Sequence, residues 1–461
     1  MLKHFAGLLA MCLLMPMFSV LAATATTTLD VSATDPDAGQ TLTYKWDCTV
    51  FPPGATTVEY ALLLAGPYST TDSFNDQSSR IARFTVAGNY TMRVTVQDNL
   101  GAQTTGTVVV TVLAPVTGRP IHGNMDFNND GMSDMMVRDT TNGTVWIWLM
   151  NGTSIASSGP IALGTNYDVV AFGDFNADSR TDVVVRDNTS GTIWIWLMNG
   201  VSISSSGGVA ISTNYTVAAV GDFNGDTRSD IVIRDNTNGT IWIWLMNGVS
   251  ISSSSPIALG TNYAVKGTGR LDAGNNSDIV IQDTTNGTVW VWLMNGGSIG
   301  SSSPIGLANN FVVQNVGSNF NGDASSDIVV RDTSNGNVWI WLMNGSSISA
   351  YGGIVISNNF TLAGYGDFTG NGNSDIVIRD STTGTVWIWL MNGVSIAQSG
   401  PIGLGTNFSV EQTGRFDAGA NSDIVVRDGT NGTIWIWLMN GVSIGSSGGI
   451  GISTNYNVQS K

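Results

Sequence analysis

Between residues 24 and 114, apolar and polar side chains alternate in short runs: TLDVSATD, LTYKWDC, ARFTVAG, YTMRVTVQD and TGTVVVTV. A period of two turns successive side chains to opposite faces, so the runs predict half-buried strands in a small antiparallel sandwich. From residue 115 onward the pattern changes. Strand-like runs separated by Gly, Asn, Asp and Ser turns recur at a fixed spacing, with no helical period between them.

The spacing is set by paired tryptophans that begin at Trp146, Trp194, Trp242, Trp290, Trp339, Trp387 and Trp435, in steps of 48, 48, 48, 49, 48 and 48 residues. Residues 222–269 hold one unit: DFNGDTRSD, IVIRDNTNG, TIWIWLMNG, VSISSSSPIALG and the lead-in TNYAVKG. A repeat of about 40–50 residues with four strands reads as a propeller blade. The fold predicted is all-β, a seven-bladed β-propeller over 115–461 preceded by the sandwich over 24–114. The first unit has APVTGRPIHG where later units have TNYxV, and Ser453–Val458 supplies that lead-in at the far end. This tail is expected to pair with the first blade and close the ring, which removes an exposed sheet edge.

In the strand Val-Trp-Ile-Trp-Leu-Met, both tryptophans and the methionine face one side, and Val, Ile and Leu face the other. Both sides are apolar, which suits a strand covered by blades before and after it. Fourteen indoles at roughly 150–250 Å² each would remove about 2000–3500 Å² from water, enough to explain the motif as core. The competing use is sugar binding, in which indole faces stack on sugar rings and Asn151-type amides supply hydrogen bonds. The SISSSS segments are expected to form the outer edge.

An acidic loop precedes each second strand. In unit three Asp222, Asn224, Asp226 and Asp230 stand at positions one, three, five and nine. Alternate residues of a tight loop can turn oxygen side chains to one centre, and Ca²⁺ takes about six to eight oxygens, with a backbone carbonyl available at position seven. The set recurs as Asp126, Asn128, Asp130 and Asp134, as Asp174, Asn176, Asp178 and Asp182, as Asn319, Asn321, Asp323 and Asp327, and as Asp367, Thr369, Asn371 and Asp375. About five structural Ca²⁺ ions are therefore expected. Units four and seven start with Arg270 and Arg415 and have Gly274 and Gly419 at position five. Each guanidinium is expected to take the ion's place and pair with the aspartates left in its loop, Asp272 and Asp278 or Asp417 and Asp423. Asp139, Asp187, Asp235, Asp283, Asp332, Asp380 and Asp428 are expected to cap the turn before each tryptophan strand. The arginine before six of them, replaced once by Gln282, is given an accessory role.

Two resemblances follow from these strings. The run DVSATDPDAGQTLTYKW, then FTVAGNYTMRVTVQDNLGA, then TVVVTV resembles the PKD-type domain, an immunoglobulin-like module of secreted bacterial proteins. It implies that Trp46 is the buried core aromatic, that Asp35, Asp37 and Asp98 lie in loops, and that the module is a spacer or adhesion unit. The string GDFNGDxxSDIV resembles the FG-GAP or VCBS repeat family over residues 120–461. That family forms propellers with calcium in these loops, which implies the same ligand positions in the five loops above.

The net charge of −16 with only 18 Lys plus Arg argues against nucleic acid or an anionic membrane as partner. Residues 1–23 carry Lys3, an apolar run and small residues near Ala22 and Ala23, the layout of a cleaved secretory signal. Cys12 lies inside it, leaving Cys48 without an internal disulfide partner. No later stretch is apolar enough to span a membrane, so a secreted monomer is expected. Chemistry has few candidates: His122 for a triad, Glu59 and Glu411 as the only glutamates, and loop carboxylates already explained by cation binding. A non-catalytic protein for adhesion or carbohydrate recognition, bound to an extracellular glycan or a cell-surface protein, is the leading expectation. A polysaccharide lyase or hydrolase and a purely structural extracellular protein are the alternatives.

Overall fold

The computed structural model describes residues 25–29, 41–51, 55, 57–61, 72–73, 78, 80–84, 88–112 and 125–460. Among them there is no helix, and so none long and apolar enough to cross a membrane. The expected signal segment, Cys12, Asp35, Asp37 and His122 lie outside these residues. The chain divides into two units, Met1–Thr117 and Gly118–Lys461.

In the first unit β1 (Ala25–Leu29), β2 (Leu42–Val50), β3 (Glu59–Ala61), β4 (Arg80–Phe84), β5 (Gly88–Asp98) and β6 (Gln103–Val112) form two antiparallel three-stranded sheets, β1-β4-β3 and β2-β5-β6. Alternation decides the faces, because Tyr44, Trp46, Tyr90, Met92, Val94 and Val96 turn inward from β2 and β5 and meet Leu29, Tyr60 and Phe84 of the other sheet in one core. Trp46 is fully buried and its indole N–H donates to the Ser78 carbonyl, so the polar end of the ring is satisfied. Asp98 closes the turn between β5 and β6 by accepting the amides of Leu100 and Ala102, each at 2.8 Å. The strand β3 was not anticipated; three residues are too few to show a period. Cys48 carries a free thiol whose pKa burial pushes up.

The second unit contains seven antiparallel four-stranded sheets, a propeller-like arrangement. The second sheet is typical, with strands Tyr167–Gly173, Asp182–Asp187, Ile193–Asn199 and Ser202–Val209 in spatial order. The fourth, serine-rich strand of every sheet is an edge and mostly exposed. The first sheet takes its first strand from the tail: Tyr456–Gln459 pairs with Met135–Asp139 in the register Tyr456 to Asp139 and Gln459 to Met136.

Packing between sheets follows the two-faced tryptophan strand. Val145 and Ile147 of the first sheet pack against Trp196 and Met198 of the second. Ile193 and Ile195 of the second meet Trp244 and Met246 of the third, and the same aliphatic-against-indole match repeats through the remaining sheets. Ile434 and Ile436 of the seventh sheet then meet Trp148 and Met150 of the first.

The two tryptophans of a strand differ. The second, at Trp148, Trp196, Trp244, Trp292, Trp341, Trp389 and Trp437, is buried in every sheet. The first is half-buried, and reaches 36% and 38% exposed at Trp194 and Trp435. It stands opposite Pro160, Pro256, Pro304 or Pro401, or opposite Gly208, Gly353 or Gly449, on the edge strand. A Cβ on Gly208 would come within 3.1 Å of three atoms of the Trp194 indole, so the ring lies flat on that backbone. Of the two uses weighed for the tryptophans, core and exposed face, each has one member of the pair: the second indole is in the core and the first keeps solvent contact.

Candidate functional site

The acidic loops join the first and second strands. In loop three, Asp222 Oδ1 accepts the amides of Gly225 at 2.7 Å and Asp226 at 3.2 Å, while Oδ2 accepts the Thr227 amide at 2.9 Å. Asn224 lies beside Asp226, donating from Nδ2 to Asp226 Oδ2 at 3.2 Å. Loops one and two repeat this around Asp126 and Asp174, and loop six around Asp367. In loop five Asn319 Oδ1 accepts the Gly322 amide at 2.8 Å. The structure thus brings positions one, three and five together in the five loops.

Their backbone is bent to match. Position four is left-handed in all five, with φ of 59° at Asn129, 62° at Ala177, 74° at Gly225, 72° at Gly322 and 68° at Gly370. Ser179 and Thr227, at position six, are left-handed as well, at 65° and 72°. These are all the non-glycine residues of positive φ among the described residues, and a branched side chain such as that of Thr227 adopts this region only when its surroundings force it. The forcing comes from amides turned toward the first carboxylate.

Position nine has a different occupation. Asp230 Oδ2 accepts the Phe223 amide at 2.9 Å and Oδ1 accepts the Met246 amide at 2.8 Å, which ties the loop to the tryptophan strand. The same pair of bonds recurs at Asp134, Asp182, Asp278, Asp327, Asp375 and Asp423. Because loops four and seven keep it, this clamp does not depend on the set at positions one, three and five. Burial pushes the carboxyls up, to about 8 at Asp134, about 7 at Asp182, Asp230, Asp327 and Asp423, and about 6 at Asp278. Amide bonds oppose the shift, and neighbouring carboxylates such as Asp126 and Asp130 add to it at Asp134.

The loops fit a hard cation by their chemistry. The donors are carboxylate and amide oxygens, and Asp126 and Asp174 are raised first by burial and then, against the amide bonds, by Asp130 and Asp178 beside them. A divalent ion would relieve that crowding. Among the described residues no group of three or more His, Cys, Asp or Glu is gathered as a metal cluster, so asparagine and backbone oxygens would have to complete any shell.

Loops four and seven depart from the expected arginine–aspartate pairing. Asp278 and Asp423 are already held by two amides each. Asp272 and Asp417 accept the amides of Gly274 and Gly419 at 2.7 Å, and Arg415 donates from Nε to the Gly419 carbonyl at 3.1 Å. In loop seven the guanidinium therefore engages a main-chain oxygen of position five.

Three inter-sheet links were missed by sequence reasoning, although each recurs at the repeat spacing. The hydroxyl at position eight accepts the position-one amide of the preceding loop, as Ser229 does from Asp174 at 3.0 Å and Ser133 from Arg415 at 2.8 Å. The aromatic or leucine at position two is fully buried, and its carbonyl accepts the glycine amide after the next tryptophan strand, as in Gly200 to Phe127. The strand arginines reach carbonyls before the next sheet, Arg186 to Thr213 at 2.7 Å and Arg427 to Thr454 at 2.9 Å. Gln282 does the same with two bonds, to the Phe311 carbonyl and from the Val313 amide.

The turn aspartates act as caps. Asp139 accepts from the amide and hydroxyl of Thr141, from Asn142 and from Asn455. These bonds lower its pKa, and at Asp380 the bonds led by Asn359 and the Thr382 amide bring it to about 2. Of the catalytic candidates, Glu59 lies on β3 of the first unit and Glu411 on the strand Phe408–Gly414 of the second.

Residues 126–185 and 174–233 match the FG-GAP-like repeat family. No curated protein matches the sequence. Among solved structures, Chaetomium thermophilum Raptor is similar at 12% identity and a TM-score of 0.40, over 67% of this chain and 28% of that one. The dihydro-heme d1 dehydrogenase NirN in complex with DHE gives 12% identity and 0.40 over 74% of this chain and 78% of its own. A post-proline cleaving enzyme from Rickettsia typhi gives 10% and 0.29 over 77% and 48%. The chain thus spans under a third of Raptor, and likenesses this distant say nothing of activity. The matched stretches cover the first three acidic loops, and the second unit carries FG-GAP-like repeats.

Proposed function

We propose that the chain is a secreted, non-catalytic binding protein that recognises an extracellular glycan, alone or on a cell-surface protein. The observation that carries this reading is the half-buried first tryptophan of each sheet, an indole backed by proline or glycine on the edge strand. A backed ring that keeps solvent contact suits stacking on a sugar ring, and its repetition from sheet to sheet would give avidity. In this reading the second unit is a closed seven-bladed propeller, supported by the tail strand and by the seventh-to-first core. About five Ca²⁺ ions brace loops one, two, three, five and six. The first unit serves as a PKD-type spacer, supported by its two sheets around Trp46. A glycan array combined with reducing-sugar and lyase assays tests the function: binding without turnover is expected, and turnover would replace the reading with an enzyme. Removal of residues 453–461 tests the ring and is expected to lower the melting temperature; no change would refute closure.

A further inference from the structure

A cleft of about 660 Å³ lies between the fifth and sixth sheets, within the roughly 300–1000 Å³ range of small-ligand sites. Trp387 and Val355 form apolar wall, and Asn335, Asn337, Ser357 and Ser399 supply amides and hydroxyls. None of the lining residues is ionisable, so the lining suits an uncharged, amphipathic molecule.

The repeat itself marks this place. Where the other six sheets have threonine, as at Thr240 and Thr385, the fifth has Asn337. Where the others have alanine or glycine, as at Ala258 and Gly403, it has Val355. Val355 is 85% exposed, the most exposed large apolar side chain among the described residues. The Asn337 amide oxygen accepts the Ile356 N–H at 3.3 Å, so its Nδ2 is the group offered to a ligand. The preceding interface shows what such a place can hold. There Tyr351, at the position of Ser399, sets its ring 6.2 Å from the Trp339 ring at 42°. Beside Trp387 the small Ser399 leaves that room open.

We propose that this cleft is the principal sugar subsite, taking one neutral pyranose ring with its C–H face on Trp387 and Val355 and its hydroxyls on Asn337, Ser357 and Ser399. The assignment rests on the glycan-binding reading and narrows it from seven like surfaces to one. The test is calorimetry of the full chain with neutral methyl pyranosides (glucoside, galactoside, mannoside and N-acetylglucosaminide), none of which has an aromatic aglycone. One site per chain is expected for at least one of them. Asn337→Thr with Val355→Ala restores residues the other sheets already use, so the fold is kept. That variant should bind about tenfold more weakly, a change of about 1.4 kcal/mol. Ser253→Ala on the edge of the third sheet should leave affinity unchanged. A stoichiometry near seven, or binding indifferent to the double variant, would overturn the subsite and leave the glycan reading standing. Failure of every pyranoside and of the glycan array would overturn both, and binding of indole in place of any pyranoside would overturn the sugar assignment.

Discussion

Loops three and four occupy the same place in neighbouring sheets and do half of their work identically. Each buries an apolar residue at position two, Phe223 or Leu271, and each ties itself to the tryptophan strand through a position-nine aspartate, Asp230 or Asp278. They part at positions one, three and five, where loop three gathers Asp222, Asn224 and Asp226 and bends Gly225 and Thr227 left-handed. Loop four has Arg270, Asp272 and Gly274 and no left-handed residue. The difference separates the clamp, which both loops keep, from the set at positions one, three and five, which only loop three carries.

The strongest break of that comparison is Asp230→Ala against Asp278→Ala. Each strips two buried amides of their acceptor, and each is expected to cost about 3 kcal/mol of unfolding free energy by urea denaturation. A large loss in loop three with a small one in loop four would tie the clamp to the ion set.

Acidity gives the next test. Asp134, Asp182, Asp230, Asp278, Asp327 and Asp423 titrate between about 6 and about 8 when folded, against an ordinary 3.8. Between 3.8 and those raised values the folded state holds more protons than the unfolded chain, so their contribution is complete below 3.8, declines as pH rises from there, and is gone once pH has passed through 6 to 8. Asp380 runs the other way, contributing above its ordinary 3.8 and losing that as pH falls through about 2. In EDTA the melting temperature should therefore fall between pH 5 and pH 8, and a rise would contradict the burial argument. Excess Ca²⁺ should flatten the fall.

A single site is a finer probe. At about ten times its dissociation constant one Ca²⁺ adds about 1.4 kcal/mol. Asp222→Asn with Asp226→Asn should remove one such increment from the calcium-dependent rise in melting temperature, whereas Asp272→Asn should remove none. Equal losses would erase the distinction between the loops. Smallest is Thr227→Gly, expected to stabilise the metal-free chain by about 1 kcal/mol by removing a β-branched side chain from left-handed backbone. A destabilised variant would show that the Thr227 side chain holds the bend.

What could be read from the sequence depended on whether a property is local. The period of 48, the strand alternation, the caps at Asp139 and its equivalents and the tail strand are all local or repeated patterns, and each appears in the fold. The unequal burial of Trp146 and Trp148 was not legible, because both look alike in an apolar strand. Burial there is decided by contact with another sheet, where Trp148 joins Ile434 and Ile436 in the core and Trp146 packs only partly against it. Asp230 read as a ligand because its spacing suits one, and only the tryptophan strand 16 residues on supplies the amide that occupies its Oδ1. Ser229 could have been found, since Ser or Thr stands before the position-nine aspartate in every loop.

The pairing of Tyr456–Gln459 with Met135–Asp139 has a temporal side. During synthesis the strand at 135–139 waits for a partner more than 300 residues away, with one edge open while six similar sheets form behind it. Each later lead-in resembles the tail and could dock there out of turn. Refolding should therefore show a slow, late phase that a truncated chain lacks, and short fragments should associate through that edge.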